Sequence, residues 1–168
     1  MDFIRSEHYF TSSNKVDRIA YYIYTPKEGK AKALVQICHG MCEYAARYEH
    51  FIGHLCRNGY AVIIHDQLGH GNSAAEDADL GYFALEDGWI YLIKDMRHVQ
   101  IIGRQMFGKI PMYVIGHSMG SLVTRCLLAR YSSDFDGAVI LGTVGAHPAV
   151  HAGIIMADKE IMLHGVKS

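Results

Sequence analysis

Ser118 is the residue whose surroundings point most directly to chemistry. It lies at the centre of Gly116-His117-Ser118-Met119-Gly120, a G-x-S-x-G pattern with an apolar run before it and an amphipathic segment after it. On a sharp strand-to-helix turn the serine hydroxyl is lifted clear of the sheet, and the backbone is so crowded that the flanking glycines have no room for a Cβ. The pattern therefore predicts that Ser118 is a nucleophile. The alternative is a structural glycine-rich turn.

A second polar segment, residues 38–43 (CHGMCE), directly follows an apolar run. Acyl transfer needs backbone N–H groups directed at the developing oxyanion, and each contributes ~3 kcal/mol to lowering the barrier. Where a serine lies on such a turn, one N–H belongs to the next residue, here Met119, and the other to the loop after the third strand, here Met41. The spacing predicts an oxyanion hole. The alternative is that His39-Gly40 only forms a tight turn.

A third polar segment, residues 65–73 (HDQLGHGNS), follows another apolar run. Gly69-His70-Gly71 has part of a dinucleotide-binding pattern, but G-x-G-x-x-G is incomplete and no helical pattern opens directly after it. We interpret the segment as a structural loop that braces the serine turn from beside it. Asp66 is then a turn and hydrogen-bonding residue rather than a catalytic one.

The elements that must position these segments alternate along the chain. The first forty residues predict a hairpin leading into a third strand, because turn-forming residues at 12–14 precede an Ile- and Tyr-rich run. Later apolar runs predict strands at 33–38, 60–64, 111–115 and 138–141, with helices around 48–56, 92–106 and 122–131 between them. This alternation predicts a parallel sheet with helices on both faces, and its active site lies at the carboxyl ends of the strands.

Composition narrows the class of protein. Half of the 168 residues are apolar, a fifth are charged and the net charge is −1, which argues against a nucleic-acid partner. The longest uncharged stretch, residues 138–156, contains Pro148 and several glycines, and therefore does not predict a transmembrane helix. With no secretory signal at the start and four cysteines without paired spacing, we expect free thiols and a cytoplasmic location.

Eleven histidines raise the question of a metal site. His50 and His54 are four residues apart on a predicted helix, a spacing that can chelate zinc. The acidic residue of H-E-x-x-H is absent and no third ligand has suitable spacing. We therefore expect no metal.

The three segments together resemble the monoacylglycerol lipase and lysophospholipase branch of the α/β-hydrolases, also grouped as serine aminopeptidase-like hydrolases. This branch has HG-x-x-E followed by R-Y, then D-x-x-G-H-G-x-S, then G-H-S-M-G. The matching residues are His39, Gly40, Glu43, Arg47 and Tyr48; Asp66, Gly69, His70, Gly71 and Ser73; and residues 116–120. The run Asp87-Gly88-Trp89 before a helix containing Asp95 is similar to bacterial members.

The resemblance implies an α/β-hydrolase fold, mostly parallel, with residues 1–145 forming the N-terminal part of the core and 146–168 the start of a cap. It implies a serine hydrolase that cleaves monoglycerides, lysophospholipids or other carboxylic esters through an acyl-enzyme on Ser118, without a cofactor. His39, Gly40 and His117 are then expected beside the substrate. The apolar stretch 144–156 is the candidate for transient contact with a membrane surface.

The sequence departs from this family in its triad. The family places an Asp or Glu and then a His on loops after later strands. Asp134 and Asp136 fall at the wrong end of the predicted sheet, and the best reading of His147, His151 and His164 is that they are cap or surface histidines. We therefore expect the chain to be truncated after about the sixth strand, to lack the triad acid and base, and to be marginally stable on its own. The alternative function is an inactive fragment or pseudoenzyme.

Overall fold

A computed structural model describes residues 3–145 and 149–166 of the chain. Its six strands form one sheet in the order β1-β2-β4-β3-β5-β6. The strands are β1 (Phe3–Thr11), β2 (Arg18–Pro26), β3 (Ala33–Cys38), β4 (Tyr60–His65), β5 (Met112–His117) and β6 (Gly137–Leu141). β2 pairs antiparallel with β1 and with β4, and the remaining neighbours pair parallel. The predicted hairpin and mostly parallel sheet are confirmed.

The described residues form four α-helices, three of which pack on the two faces of the sheet. They are α1 (Glu49–Arg57), which follows a 3-10 turn at Ala45–Tyr48, α2 (Gly88–Phe107), α3 (Met119–Tyr131) and α4 (Val150–His164). α1 packs on one face, whereas α2 and α3 pack on the other. The prediction of helices on both faces is therefore also confirmed.

Strand β4 shows why the central strands are continuously apolar. Val62 and Ile64 face α1 and pack with Ile52, while Ile63 faces the opposite way and packs with Val99 of α2. Because successive side chains of a strand point to opposite faces, a strand covered on both sides needs apolar residues at every position. All these side chains are buried.

The connection between β5 and α3 is shorter than the sequence pattern predicted. β5 extends to His117 and α3 begins at Met119, so Ser118 alone forms the turn. The apolar periodicity had predicted a helix from residue 122, because the first turn of α3 contains glycine and serine rather than a clear apolar face. The longer helix places its N-terminus directly at Ser118.

Asp66 holds the loop that follows β4. Its carboxylate accepts hydrogen bonds from the Ala45 N–H (2.6 Å), the Asn72 N–H (2.8 Å) and the Tyr22 hydroxyl (3.0 Å). These donors come from three separate parts of the chain, and the carboxylate joins them below the surface. Asp66 is therefore a structural residue, as its sequence position indicated.

Helix α4 was not predicted from the sequence. The residues described in it are all exposed, including Ile155, Met156 and Met162. Residues 146–148, and with them His147, lie outside the described residues. The division into a core at 1–145 and a cap beginning at 146 stays a prediction. Over the described ranges, no helix combines the length and apolar character needed to cross a bilayer.

Candidate active site

Ser118 occupies a backbone conformation that few non-glycine residues adopt, with φ 50° and ψ −120°. Its N–H donates to the carbonyl of Leu141 at the end of β6 (2.9 Å). Its own carbonyl accepts from the N–H (2.9 Å) and the hydroxyl (2.5 Å) of Ser121. The surrounding hydrogen bonds thus hold a strained residue in place, as is common where strain serves function.

The flanking glycines are required by close packing around the turn. A Cβ at position 116 would collide with the Thr124 side chain, and one at position 120 would collide with the carbonyl oxygens of Cys38 and His39. The first turn of α3 therefore rests directly against the end of β3. This contact places the residues after β3 beside Ser118.

Gly40 shows how close the two segments are. A Cβ built on Gly40 would lie 3.0 Å from the Cβ of Ser118 and 3.3 Å from Nδ1 of His117. The structure thus brings together residues 39–43 and 117–119, as an oxyanion hole beside a nucleophile requires. Gly40 is buried, while Met41, the next residue, is 47% exposed.

His39 is fully buried beneath this loop. Its Nε2 accepts a hydrogen bond from the Gln67 N–H (2.9 Å), so its Nδ1 carries the hydrogen and donates to the Gly40 carbonyl (2.8 Å). Burial lowers the pKa of His39 and favours this neutral form. A fully buried ring has no surface to offer a substrate. The structure therefore corrects the expectation that His39 lines the substrate site: it holds the loop from inside.

The hydrogen bond from His39 also sets the direction of the Met41 N–H. The carbonyl of Gly40 and the N–H of Met41 belong to one planar trans peptide and point in opposite directions. Fixing the carbonyl on His39 therefore fixes the N–H on the other side. The next N–H, that of Cys42, is taken up by Nε2 of His70 (3.2 Å).

Two backbone N–H groups stay available at this junction. Within the described ranges, neither the Met41 N–H nor the Met119 N–H has a hydrogen-bond acceptor. Met119 is the first residue of α3, where an N–H has no partner within the helix and the helix dipole favours negative charge. These are the two groups that the sequence pattern assigned to the oxyanion hole.

Glu43 connects the two segments, and no role was assigned to it from the sequence. Its Oε2 accepts from the Gly40 N–H (2.7 Å), the Tyr48 hydroxyl (2.8 Å) and Nδ1 of His117 (3.0 Å). Burial alone would raise the pKa of Glu43, but the hydrogen bonds from Tyr48, Gly40 and His117 outweigh it and lower the pKa to about 2. The sequence feature that could have indicated this role is a carboxylate three residues after Gly40.

A hollow of about 390 Å³ opens next to this carboxylate. Its lining combines polar side chains, such as those of Glu43, Tyr48 and His117, with apolar ones, such as those of Phe51 and Ile115. The His117 side chain is 41% exposed here. A ligand with both polar and apolar parts fits such a lining.

The triad candidates among the described residues are not beside Ser118. Asp136 accepts the Met112 N–H (2.8 Å) at the start of β5, and Asp134 pairs with Arg97, so both lie at the opposite end of the sheet. His151 and His164 are exposed on α4. In the part of the chain that the structure covers, no histidine is hydrogen-bonded to the Ser118 hydroxyl.

Metal ligands are not clustered in the described ranges. No group of three or more His, Cys, Asp or Glu side chains there could hold a metal ion. His50 and His54 are both exposed on α1.

Comparisons with known proteins show which proteins this chain is similar to. A family model described as serine aminopeptidase, S33, matches residues 29–161. The monoacylglycerol lipase of Mycolicibacterium smegmatis is 31% identical over 161 residues, which are 94% of this chain and 54% of that protein. The monoglyceride lipase of Homo sapiens is 29% identical over 118 residues, which are 70% of this chain and 37% of that protein.

The fold has close counterparts among solved structures. A thermostable carboxyl esterase from Bacillus coagulans, solved in complex with glycerol, superposes with a TM-score of 0.83 at 28% identity, covering 95% of this chain and 51% of the esterase. The chain thus spans about half the length of these relatives or less. With its sheet order, its serine turn and the family match over most of its length, the chain belongs to the serine aminopeptidase S33 family of α/β-hydrolases.

Proposed function

We propose that this chain supplies the nucleophile and the oxyanion hole of a serine hydrolase that cleaves carboxylic esters. The observation that carries the proposal is the conformation of Ser118, alone on the turn between β5 and α3, with Gly40 so close that a Cβ built on it would lie 3.0 Å from the Cβ of Ser118. A strained serine in a one-residue turn has no evident structural purpose. Relatives named monoacylglycerol lipase and carboxyl esterase support the same reaction class.

The proposed reaction passes through an acyl-enzyme. The Ser118 oxygen attacks the acyl carbonyl and passes its proton to a general base, while the carbonyl oxygen becomes an oxyanion held by the N–H groups of Met41 and Met119. The base then protonates the departing alcohol as the ester C–O bond breaks. Water attacks the acyl-enzyme and gives a proton to the base, which returns it to the Ser118 oxygen as the acyl C–O bond breaks and the carboxylic acid leaves.

The general base and its orienting carboxylate are not among the residues next to Ser118 in the described structure. We propose that a histidine outside the described residues, oriented by an Asp or Glu, supplies this role. The chemistry needs no metal or organic cofactor, because the oxyanion is stabilised by backbone amides alone.

The lining of the hollow beside His117 favours an ester with one acyl chain and a small polar alcohol. The polar groups of Glu43 and Tyr48 suit hydroxyl groups, and the apolar side chains of Phe51 and Ile115 suit an alkyl group. Monoglycerides and lysophospholipids have this form, and several relatives are named for the former. We therefore propose a small acyl lipid as the substrate.

A second candidate is that the chain as it stands is an inactive fragment or pseudoenzyme. The observation that favours it is the lack of a histidine on Ser118 in the described ranges. The two candidates agree on the site and differ in whether Ser118 is activated.

A fluorophosphonate probe tests the proposal. The chain, a Ser118→Ala variant and a Ser133→Ala control are incubated with the probe, and labelling is read by intact mass. Ser133 is exposed at the opposite end of the sheet, so its substitution leaves the turn intact. Labelling that disappears only in Ser118→Ala would support the proposal, and it would require a base that the structure does not describe. No labelling of the folded chain would instead favour the inactive candidate.

A further inference from the structure

We infer that Glu43 is a positioning residue that fixes the loop carrying the Met41 N–H to the turn carrying Ser118. The inference rests on the proposed function, because it gives Glu43 a task in the same acyl transfer. Its basis is that a single carboxylate oxygen accepts hydrogen bonds from Gly40, Tyr48 and His117. These residues lie in the loop after β3, in the turn before α1 and at the end of β5.

Two of these three donors are sequence neighbours of the residues that form the proposed site. Gly40 immediately precedes Met41, and His117 immediately precedes Ser118. Holding both on one oxygen sets the distance between the first oxyanion donor and the nucleophile. The second donor, Met119, follows Ser118 directly and moves with the same turn.

His39 and Glu43 each form a hydrogen bond with the backbone of Gly40. Glu43 accepts its N–H (2.7 Å), while His39 donates to its carbonyl (2.8 Å). Both polar groups of Gly40 are therefore held, and the peptide that ends in the Met41 N–H cannot rotate without breaking one of these bonds. Such preorganisation matters because an oxyanion donor stabilises the transition state only when it already points at the developing charge.

A carboxylate suits this task better than an amide. Three donors converge on Oε2, and an anionic oxygen accepts charge-assisted hydrogen bonds that are shorter and stronger than those of a neutral carbonyl. The Glu43 side chain is 17% exposed, so solvent competes little for these donors. The low pKa of Glu43, set by the same hydrogen bonds, keeps the carboxylate ionised near neutral pH.

The competing explanation is that Glu43 binds the substrate directly, since it also borders the hollow. The two roles differ in what they stabilise. A positioning residue affects the reaction step with any acylating reagent, whereas a binding residue affects the affinity for ligands that carry hydroxyl groups.

The experiment therefore uses a probe without hydroxyl groups. An alkyl fluorophosphonate is titrated against wild type, Glu43→Gln, Tyr48→Phe and the control Glu28→Gln, whose side chain is exposed in the turn between β2 and β3. The maximal labelling rate and the half-saturating probe concentration are measured separately. We expect Glu43→Gln to lower the maximal rate about tenfold and Tyr48→Phe by less, with half-saturation unchanged, because small displacements of an oxyanion donor act on the reaction step.

A second readout does not depend on reaction. Backbone amide signals of Gly40, Met41 and Met119 are compared by nuclear magnetic resonance in the same variants. We expect all three to shift in Glu43→Gln and none in Glu28→Gln. If Glu43→Gln fails to fold, Tyr48→Phe, which removes one donor and keeps the carboxylate, takes its place.

The outcomes separate this inference from the proposed function. Equal labelling rates in wild type and folded Glu43→Gln would overturn the positioning role and leave the function standing. An unchanged rate with a raised half-saturating concentration would also overturn it, in favour of direct binding. If wild type is not labelled, the proposed function fails for this chain, and the amide signals alone decide: shifts at Met41 and Met119 support the positioning role, and shifts confined to Gly40 refute it.

Discussion

Individual histidine rings show how burial and partners decide protonation in this protein. His39 and His70 each accept a backbone N–H at Nε2 and donate from Nδ1 to a backbone carbonyl. His65, at the end of β4, is equally buried, but neither of its ring nitrogens has a partner among the described residues. A buried polar group without a partner is destabilising, so His65 lowers the stability of the fold.

Replacing His65 with leucine is expected to stabilise the fold. Burial lowers the pKa of His65 to about 3. The ordinary pKa of histidine is about 6.5, so below that pH the unfolded chain binds a proton at His65 that the folded chain does not bind. The free energy of unfolding therefore falls as the pH is lowered from roughly 6.5 to 3. His65→Leu removes both this loss and the unpaired nitrogens. Its free energy of unfolding in urea should rise by about 1 kcal/mol at pH 7 and by more at pH 5.

Destabilisation of His65→Leu at both pH values would show that the ring has a partner outside the described residues. An equal gain at both pH values would mean that the proton uptake of the unfolded chain is balanced elsewhere.

At the residue scale, a role could be predicted from the sequence when its physical reason lies within a few neighbouring residues. The sharp turn at Ser118 could be predicted because the flanking glycines are two positions away and their purpose follows from sterics. Glu43 could not, because its hydrogen bond to His117 joins residues 74 positions apart and exists only once β3 and β5 lie side by side. The burial of His39 was missed for the same reason, since Gln67 approaches it only in the folded sheet.

The critical contact at the element scale is the approach of α3 to the end of β3. It depends on Gly120, where an added methyl group would meet the carbonyl oxygens of two residues of the neighbouring segment. Backbone atoms cannot move aside as the tip of a side chain can. This contact, rather than helix propensity, determines where α3 begins.

Gly120→Ala is therefore expected to cost about 3 kcal/mol of stability, because the overlap forces a shift of main chain. The matched control is Gly153→Ala in α4, where nothing lies within 4 Å of the added Cβ and the higher helix propensity of alanine applies. Chemical denaturation of both variants measures the difference. A Gly120→Ala variant as stable as wild type would contradict the packing described here.

Elements with buried faces were predictable and the exposed one was not. The strands β3 and β4 are apolar at almost every position because both of their faces are covered. Helix α4 has no buried residue among those described, so nothing in its surroundings selects a repeating apolar face at the helical period. An apolar segment without such a period reads equally well as an irregular surface segment.

At the scale of the whole molecule, the open side of β6 is the feature that stands out. β6 is the last strand of the sheet and pairs only with β5, and its Val139 and Leu141 are each 48% exposed. An unpaired, apolar edge presents backbone N–H and C=O groups to other chains. The apolar run at 138–141 predicted a strand, but its place at the edge of the sheet depends on pairings between distant segments, which the sequence pattern does not give.

We expect this chain to self-associate through β6 and a Val139→Lys variant to do so less. A charged side chain at an edge opposes strand pairing between molecules. Light scattering after size exclusion, over a range of concentrations, measures the effect. The control is Val16→Lys, which places the same charge at an exposed position in the turn between β1 and β2. Equal association in both variants would exclude β6 as the contact.

The hydrogen bond from the Ser118 N–H to the Leu141 carbonyl links the serine turn to the edge strand β6. Arg125 of α3 likewise donates to Thr143 and to the carbonyl of Val144, just beyond β6. The strained residue is thus hydrogen-bonded to an edge strand of the sheet. Segments with few buried contacts open locally at a lower free energy than the whole domain unfolds. On warming, Ser118 should therefore lose its strained backbone conformation while most of the sheet is still intact. The upper temperature limit of its reactivity would then be set by local unfolding of one five-residue strand.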